Sequence, residues 1–239
     1  MSKNINQANS KLNNSNNKLK QSYSNSNSNN LKIMYMPHWL EFYSNSLHSE
    51  VNSTHKRYYK AYKKGAIVYA RLGSNIGSEF SGNHFCVVLD NNDNRSKETI
   101  TIVPLSSKKN NNYIKLSTTI LDLTTSDLLI QLLNYEESIK QLKEKYNNDD
   151  IAPDDSIDVE DKKKLYEFNE KFSEFQTLVN IYSRHAGKDT YANVSAITTI
   201  SKKRLSKINN SDPTGKISIL DDDMDKIHEQ LLIKFIEKN

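Results

Sequence analysis

The spacing of hydrophobic positions changes character repeatedly along this chain. Residues 1–31 hold eleven Asn and seven Ser and almost nothing apolar. Such a segment buries too little surface to offset its ordering entropy, so a disordered, solvated tail is expected. Residues 38–62 then bring Trp39, Leu40, Phe42, Tyr43, Leu47, Val51, Tyr58, Tyr59 and Tyr62. They predict one or two helices within an N-terminal helical segment, 32–63, with Pro37 at a helix start. From Gly65 the pattern shortens. Four of the six glycines fall in 65–82, among β-rich runs at 66–72, 84–89, 99–105 and 113–116. Short strands between Gly and Asn/Asp turns suggest a small antiparallel barrel or a strongly bent sheet.

Helical spacing returns at 128–182. Leu128, Leu132, Tyr135, Ile139, Leu142 and Tyr146 form a seven-residue repeat. An acidic, Pro-containing loop, 147–158, leads to a second stripe: Leu165, Phe168, Phe172, Phe175, Val179 and Tyr182. Two stripes joined by a polar loop describe an antiparallel helical hairpin. Its seams either pack on each other or form a partner groove. Strand character resumes over 190–200, followed by a basic turn and a helix from Asp221 to about Glu237, its apolar face formed by Ile227, Leu231, Leu232 and Phe235. The expected class is α+β. A barrel domain is assembled from 64–127 and 183–239, and the hairpin is an insertion at 128–182.

Composition narrows the setting. The 239 residues are 36% apolar, with mean hydropathy −0.75. No apolar run nears the ~18–20 residues of a membrane helix, and the N-terminus lacks a signal-peptide core. One cysteine, Cys86, excludes an intrachain disulfide and any multi-cysteine zinc site. Cys86 itself reads as a small core residue. A cytoplasmic protein that makes no membrane contact is expected. The formal charge is +4, and residues 1–31 alone supply four lysines with no acid. Residues 135–180 carry thirteen acidic and seven basic side chains, whereas 32–134 and 181–239 together carry 22 basic and 16 acidic ones. The barrel-forming parts are therefore basic, as a phosphate-binding surface requires. The acidic insertion is expected to face away from a phosphate-bearing partner or to compete with it.

The segment 73–85 joins two strands and is too long for a tight hairpin; long loops in compact domains are usually functional or disordered. It has neither Walker nor GxGxxG spacing. Lys64-Gly65-Ala66-Ile67-Val68-Tyr69, then Gly77-Ser78-Glu79, Val87-Val88-Leu89-Asp90-Asn91 and Ile102-Val103-Pro104-Leu105-Ser106 resemble the PemK/MazF toxins of type II toxin–antitoxin systems. Ile197-Thr198-Thr199-Ile200-Ser201-Lys202-Lys203-Arg204-Leu205 and the closing helix at Leu220-Asp221-Asp222-Asp223-Met224 are similar to that family's late elements. The resemblance covers about 100 residues and leaves the tail, the 38–62 segment and the hairpin unmatched.

The resemblance implies an SH3-like antiparallel barrel and a homodimer. It also implies metal- and cofactor-independent cleavage of single-stranded RNA, and inhibition by a cognate antitoxin. The family's catalytic Thr/Ser maps onto Ser106. Its catalytic arginine position holds His84, and a late-strand arginine position holds Thr198. Metal-free RNA cleavage needs a base for the 2′-hydroxyl, an acid for the 5′-oxygen and donors for the phosphorane charge. Histidine can exchange the proton but lacks arginine's bidentate phosphate grip. The expected site is His84, Ser106 and Glu79. RNA contacts are expected from Arg71, Ser78, Arg95, Lys108, Lys202, Lys203 and Arg204.

Each residue also has a plain structural reading: a strand-edge histidine, a turn serine, a loop glutamate, a solvated basic turn. The alternative function is a non-catalytic RNA- or antitoxin-binding module, or a CcdB-like gyrase poison acting on DNA, on the same barrel. His185, between Arg184 and Gly187, reads as a loop residue.

Overall fold

The computed structural model describes residues 2–26, 30–52, 58–146 and 157–236. The chain divides into two compact units, one drawn from 1–57 and 71–83, the other from 58–70 and 84–239.

In the first unit the tail departs from expectation, because Ser2–Asn25 is a helix, α1. Composition hid a heptad spacing, Ile5, Leu12 and Leu19, that gives the segment one apolar stripe. Ile5 and Leu12 remain exposed, and Leu19 is half-buried. A second helix, α2, runs Leu31–Asn52 and contacts α1. It begins before Pro37 rather than at it, because the Asn30 side chain accepts from the Ile33 N–H at 3.3 Å and caps the first turn. Pro37 therefore lies inside the helix and leaves the Ile33 carbonyl without its intrahelical partner. The expected helical segment also stops early. Tyr58–Tyr62 belong to no helix or strand; the Tyr59 N–H donates to the Arg95 carbonyl and the Tyr62 N–H to Asp93 Oδ2, each at 2.9 Å. Residues 27–29, 53–57 and 237–239 lie outside the described residues.

The sheet has strands β1 (Ile67–Gly73), β2 (Gly82–Val88), β3 (Thr99–Ser106), β4 (Ile114–Lys115), β5 (Tyr191–Ala192), β6 (Thr198–Ser201) and β7 (Leu205–Ser206), all in the second unit except Arg71–Gly73 of β1 and Gly82–Asn83 of β2. The order is β4-β5-β3-β2-β1-β7, with β6 also paired to β3. The observed pairs are antiparallel. Among the described residues the path has two ends and does not close into the expected barrel.

The 190–200 run is not one strand. β5 pairs Tyr191 with Ser106, and β6 pairs Thr198 with Ile102, so the register on β3 shifts by three residues between them. A 3₁₀ turn at Val194–Ala196 takes up the excess, capped by Asn193, whose side chain accepts from the Ser195 N–H. One face of the sheet packs Ile67, Phe85, Val87, Val103, Leu105 and Ala192 into the main core.

Two long helices cover that core: α3 (Ile120–Tyr146) and α4 (Val159–Tyr182). They meet in reversed sequence order. Tyr135 packs on Phe175 with ring centroids 6.0 Å apart, and Leu142 shares a cluster with Leu165. α3 starts eight residues before the expected stripe, where Ile120, Thr124 and Leu128 are buried. In α4 the seam runs through Leu165, Phe175, Leu178 and Tyr182, while Phe172 and Val179 are exposed. The expected 147–158 loop falls mostly outside the described residues. Two carboxylates of α4 are held by nearby donors. Asp161 accepts from Lys145, Lys164 and Tyr146, and Glu174 from Lys171 and Ser211.

The last helix, α5, spans Asp221–Phe235. Met224 and Ile227 enter the core, but Leu232 and Phe235 do not. Its first turn holds the buried Asp223, which accepts from the Ser117 N–H at 2.7 Å, the Ser117 hydroxyl at 2.8 Å and the Lys226 ammonium at 2.8 Å. Burial pushes the Asp223 carboxyl up, and these donors outweigh it and hold the group below its ordinary value.

Candidate active site

Strand register sets the geometry of the candidate site. β2 and β3 pair Cys86 with Pro104 and Val87 with Val103. Continued by two residues, that register sets His84 opposite Ser106. The β3–β5 ladder pairs Ser106 with Tyr191, and the β4–β5 ladder pairs Tyr191 with Lys115. His84, Ser106, Tyr191 and Lys115 thus form one row across four strands. Their neighbours Phe85, Leu105 and Ala192 point into the main core. By strand alternation the row lies on the opposite face.

Within the row, His84 is half-buried, and its Nδ1 lies 3.3 Å from the Leu105 carbonyl oxygen. A carbonyl only accepts, so Nδ1 carries the proton, and Nε2 is the basic nitrogen of the neutral ring. The Ser106 hydroxyl accepts from the Lys108 N–H at 3.0 Å, which holds the turn after β3. The Lys108 side chain is exposed. Lys115 pairs with Asp189 at 2.8 Å, and the Tyr191 hydroxyl donates to the same carboxylate at 3.1 Å. Lys115 and Tyr191 lower the Asp189 carboxyl below its usual value. Tyr191, Lys115 and Asp189 had no place in the sequence reading. Both short strands were legible, but nothing local shows that they pair with each other and with β3.

The basic residues divide. Arg204 is half-buried, and its charge acts on Cys86, two residues along β2 from His84 on the same face. Burial pushes the Cys86 thiol up and Arg204 opposes this, so Cys86 is an inert core residue as expected. Lys202 is a correction. It is not on a phosphate-contact surface but buried, with its ammonium 2.6 Å from Asp93 Oδ1 and donating to the carbonyls of Lys60 and Asn94 at 3.1 and 2.9 Å. The Lys202 N–H also donates to the Glu98 carbonyl, beside the start of β3. Arg95, exposed, and Lys203, half-buried, belong to this same end. Ser106 lies at the other end, about 20 Å along the strand. Neither Arg95 nor Lys202 can supply positive charge at the row.

Arg71, Ser78 and Glu79 belong to the other unit. The Arg71 guanidinium sits 4.5 Å from the Phe42 ring centroid. Ser78 and Glu79 are exposed on the 74–81 loop. Asn75 folds that loop by donating to the Leu72 and Phe80 carbonyls at 3.0 and 2.6 Å, and Lys32 donates to the Gly77 carbonyl at 2.6 Å. His185 is not in a plain loop. It ends a 3₁₀ turn and meets the Phe85 ring edge-on at 5.6 Å. Burial, with Lys188, lowers its pKa.

Residues 63–134 match the model of a family described as the PemK-like, MazF-like toxin of type II toxin–antitoxin system. This segment contains β1 to β4, and with them His84, Ser106 and Lys115, and it ends inside α3. A search of curated proteins returns no match. No helix among the described residues is long and apolar enough to cross a membrane.

Proposed function

We propose that this protein is a toxin-type endoribonuclease that cuts single-stranded RNA by attack of the 2′-hydroxyl on the adjacent phosphate. The observation that carries the reading is the pairing of His84 with the end of β3, inside the segment that matches the toxin family. His84 Nε2 takes the 2′-hydroxyl proton as O2′ bonds to phosphorus. The Ser106 hydroxyl donates to a phosphate oxygen, and Lys115 and Arg204 supply positive charge toward the developing phosphorane. The bond to the 5′-oxygen then breaks, and the imidazolium returns its proton to that oxygen. The products are a 2′,3′-cyclic phosphate and a 5′-hydroxyl. A homodimer, a cytoplasmic setting and a cognate antitoxin belong to the same reading.

The test is purified protein with long RNA in EDTA, beside His84→Ala and Ser106→Ala. Loss of a general base lowers the rate by ~100-fold or more. Equal cutting by wild type and His84→Ala refutes the assignment of His84. Gel-shift binding without cleavage supports the binding-module reading, and gyrase-dependent DNA breaks support the CcdB-like one.

A further inference from the structure

A second set of basic groups lies on the β7 side of the sheet; in the strand order β1 stands between β7 and β2, the strand that carries His84. Here a cleft of about 200 Å³ is lined by Lys60, Tyr62, Tyr69, Ser206, Lys207 and Thr214. All belong to the same compact unit. The Lys60 ammonium stands 5.3 Å from the Tyr62 ring centroid. Partial burial, together with the like charges of Lys207 and Lys216, weakens its hold on its proton. Among the described residues, none of these three lysines has a carboxylate within ion-pair distance. The nearby Asp212 carboxylate already accepts from the Tyr182 hydroxyl and the N–H groups of Ile208 and Thr214.

Two further features mark the cleft as built. Thr214 is 3% exposed, yet its hydroxyl oxygen finds no hydrogen-bond partner among the described residues. Buried polar atoms rarely go unpaired in native proteins, so this donor awaits an acceptor. Gly215 has φ +76°, and a Cβ there would stand 2.6 Å from Tyr62 Cε1 and 3.0 Å from Lys60 Nζ. Only glycine lets these two side chains close against the backbone.

We propose that this cleft binds the phosphate of a nucleotide. The Lys60 and Lys207 ammoniums and the Thr214 hydroxyl hold the phosphate oxygens, and the attached nucleoside rests on the Tyr62 and Tyr69 rings. The phosphate belongs either to a free nucleotide or to an RNA strand, since the chemistry is shared. The site is independent of the ribonuclease reading, and loss of cleavage in His84→Ala leaves it untouched.

The full chain is titrated calorimetrically with adenosine 5′-monophosphate and with inorganic phosphate. It is also titrated, by fluorescence anisotropy, with a labelled 2′-O-methyl RNA octamer, which has no 2′-nucleophile. Wild type is expected to bind the monophosphate more tightly than phosphate. A Lys60→Gln/Lys207→Gln variant with an unchanged melting temperature is expected to bind it at least tenfold more weakly. Thr214→Val is expected to weaken it severalfold. Competition between monophosphate and octamer assigns the site to a strand; monophosphate binding without competition assigns it to a free nucleotide. The proposal is overturned if wild type binds neither nucleotide probe, or if the folded double variant binds both as wild type does.

Discussion

Replacing Lys202 by methionine separates a structural cation from an RNA-binding one. The Lys202 side chain is 2% exposed and its partner Asp93 fully enclosed, 2.6 Å away. Methionine keeps most of the volume and removes the charge, so the Asp93 carboxylate stays buried without its counter-ion. Breaking a buried pair in this way costs about 3–5 kcal/mol. The carbonyls of Lys60 and Asn94 also lose their donor. In a protein of this size each kcal/mol lowers Tm by about 2–4 °C, so the drop should be ~6–20 °C. Urea and thermal melts followed by far-UV circular dichroism give both quantities. Lys203→Met serves as the control, with an expected change under ~1 kcal/mol. Asp93→Asn combined with Lys202→Met should recover part of the loss, because the stranded charge goes with it. The reasoning is refuted if Lys202→Met melts within ~1 kcal/mol of wild type. It is also refuted if the variant's RNA binding loses salt dependence while its stability stays intact.

Two other perturbations follow from local geometry. The Asp223 carboxyl is held below its ordinary value by Ser117 and Lys226, so the stability it contributes is complete above the unfolded pKa of about 3.9 and is lost as pH falls through the lower folded value. The urea midpoint of wild type should therefore fall below about pH 4 more steeply than that of Asp223→Asn; parallel curves would remove Asp223 from the acid response. Gly73→Ala places a Cβ 2.7 Å from the Trp39 ring at φ +92° and should cost about 1–3 kcal/mol. Trp39 is the sole tryptophan, so its emission should shift in step with the melt, and an unchanged spectrum and Tm would contradict the close approach.

The elements were more legible than their partners. Alternation in Thr99–Val103 and the heptad from Leu128 to Tyr146 report local periodicity, and both runs form the elements that periodicity predicts. The N-terminal helix went unseen because Asn and Ser content outweighed three apolar positions seven residues apart. The α4 seam shifted from Val179 to Leu178 because tertiary burial decides which neighbour faces in. At the candidate site, His84 and Ser106 could be named from resemblance, but Tyr191, Lys115 and Asp189 join through long-range register that no local pattern encodes. Lys202 was misjudged because three consecutive basic residues look equally solvated until one finds Asp93.

The row on the sheet also has a birth order. His84, Ser106 and Lys115 leave the ribosome early, whereas Tyr191 follows only after α3 and α4. At ~5–20 residues per second, several seconds pass between them. Throughout that interval the β3 edge that will receive β5 has no partner strand from this chain, and Lys115 lacks the Asp189 it will pair with. The nascent protein thus carries its histidine and serine before the strand that frames them, and α3 and α4 act as a delay timer on the completed row.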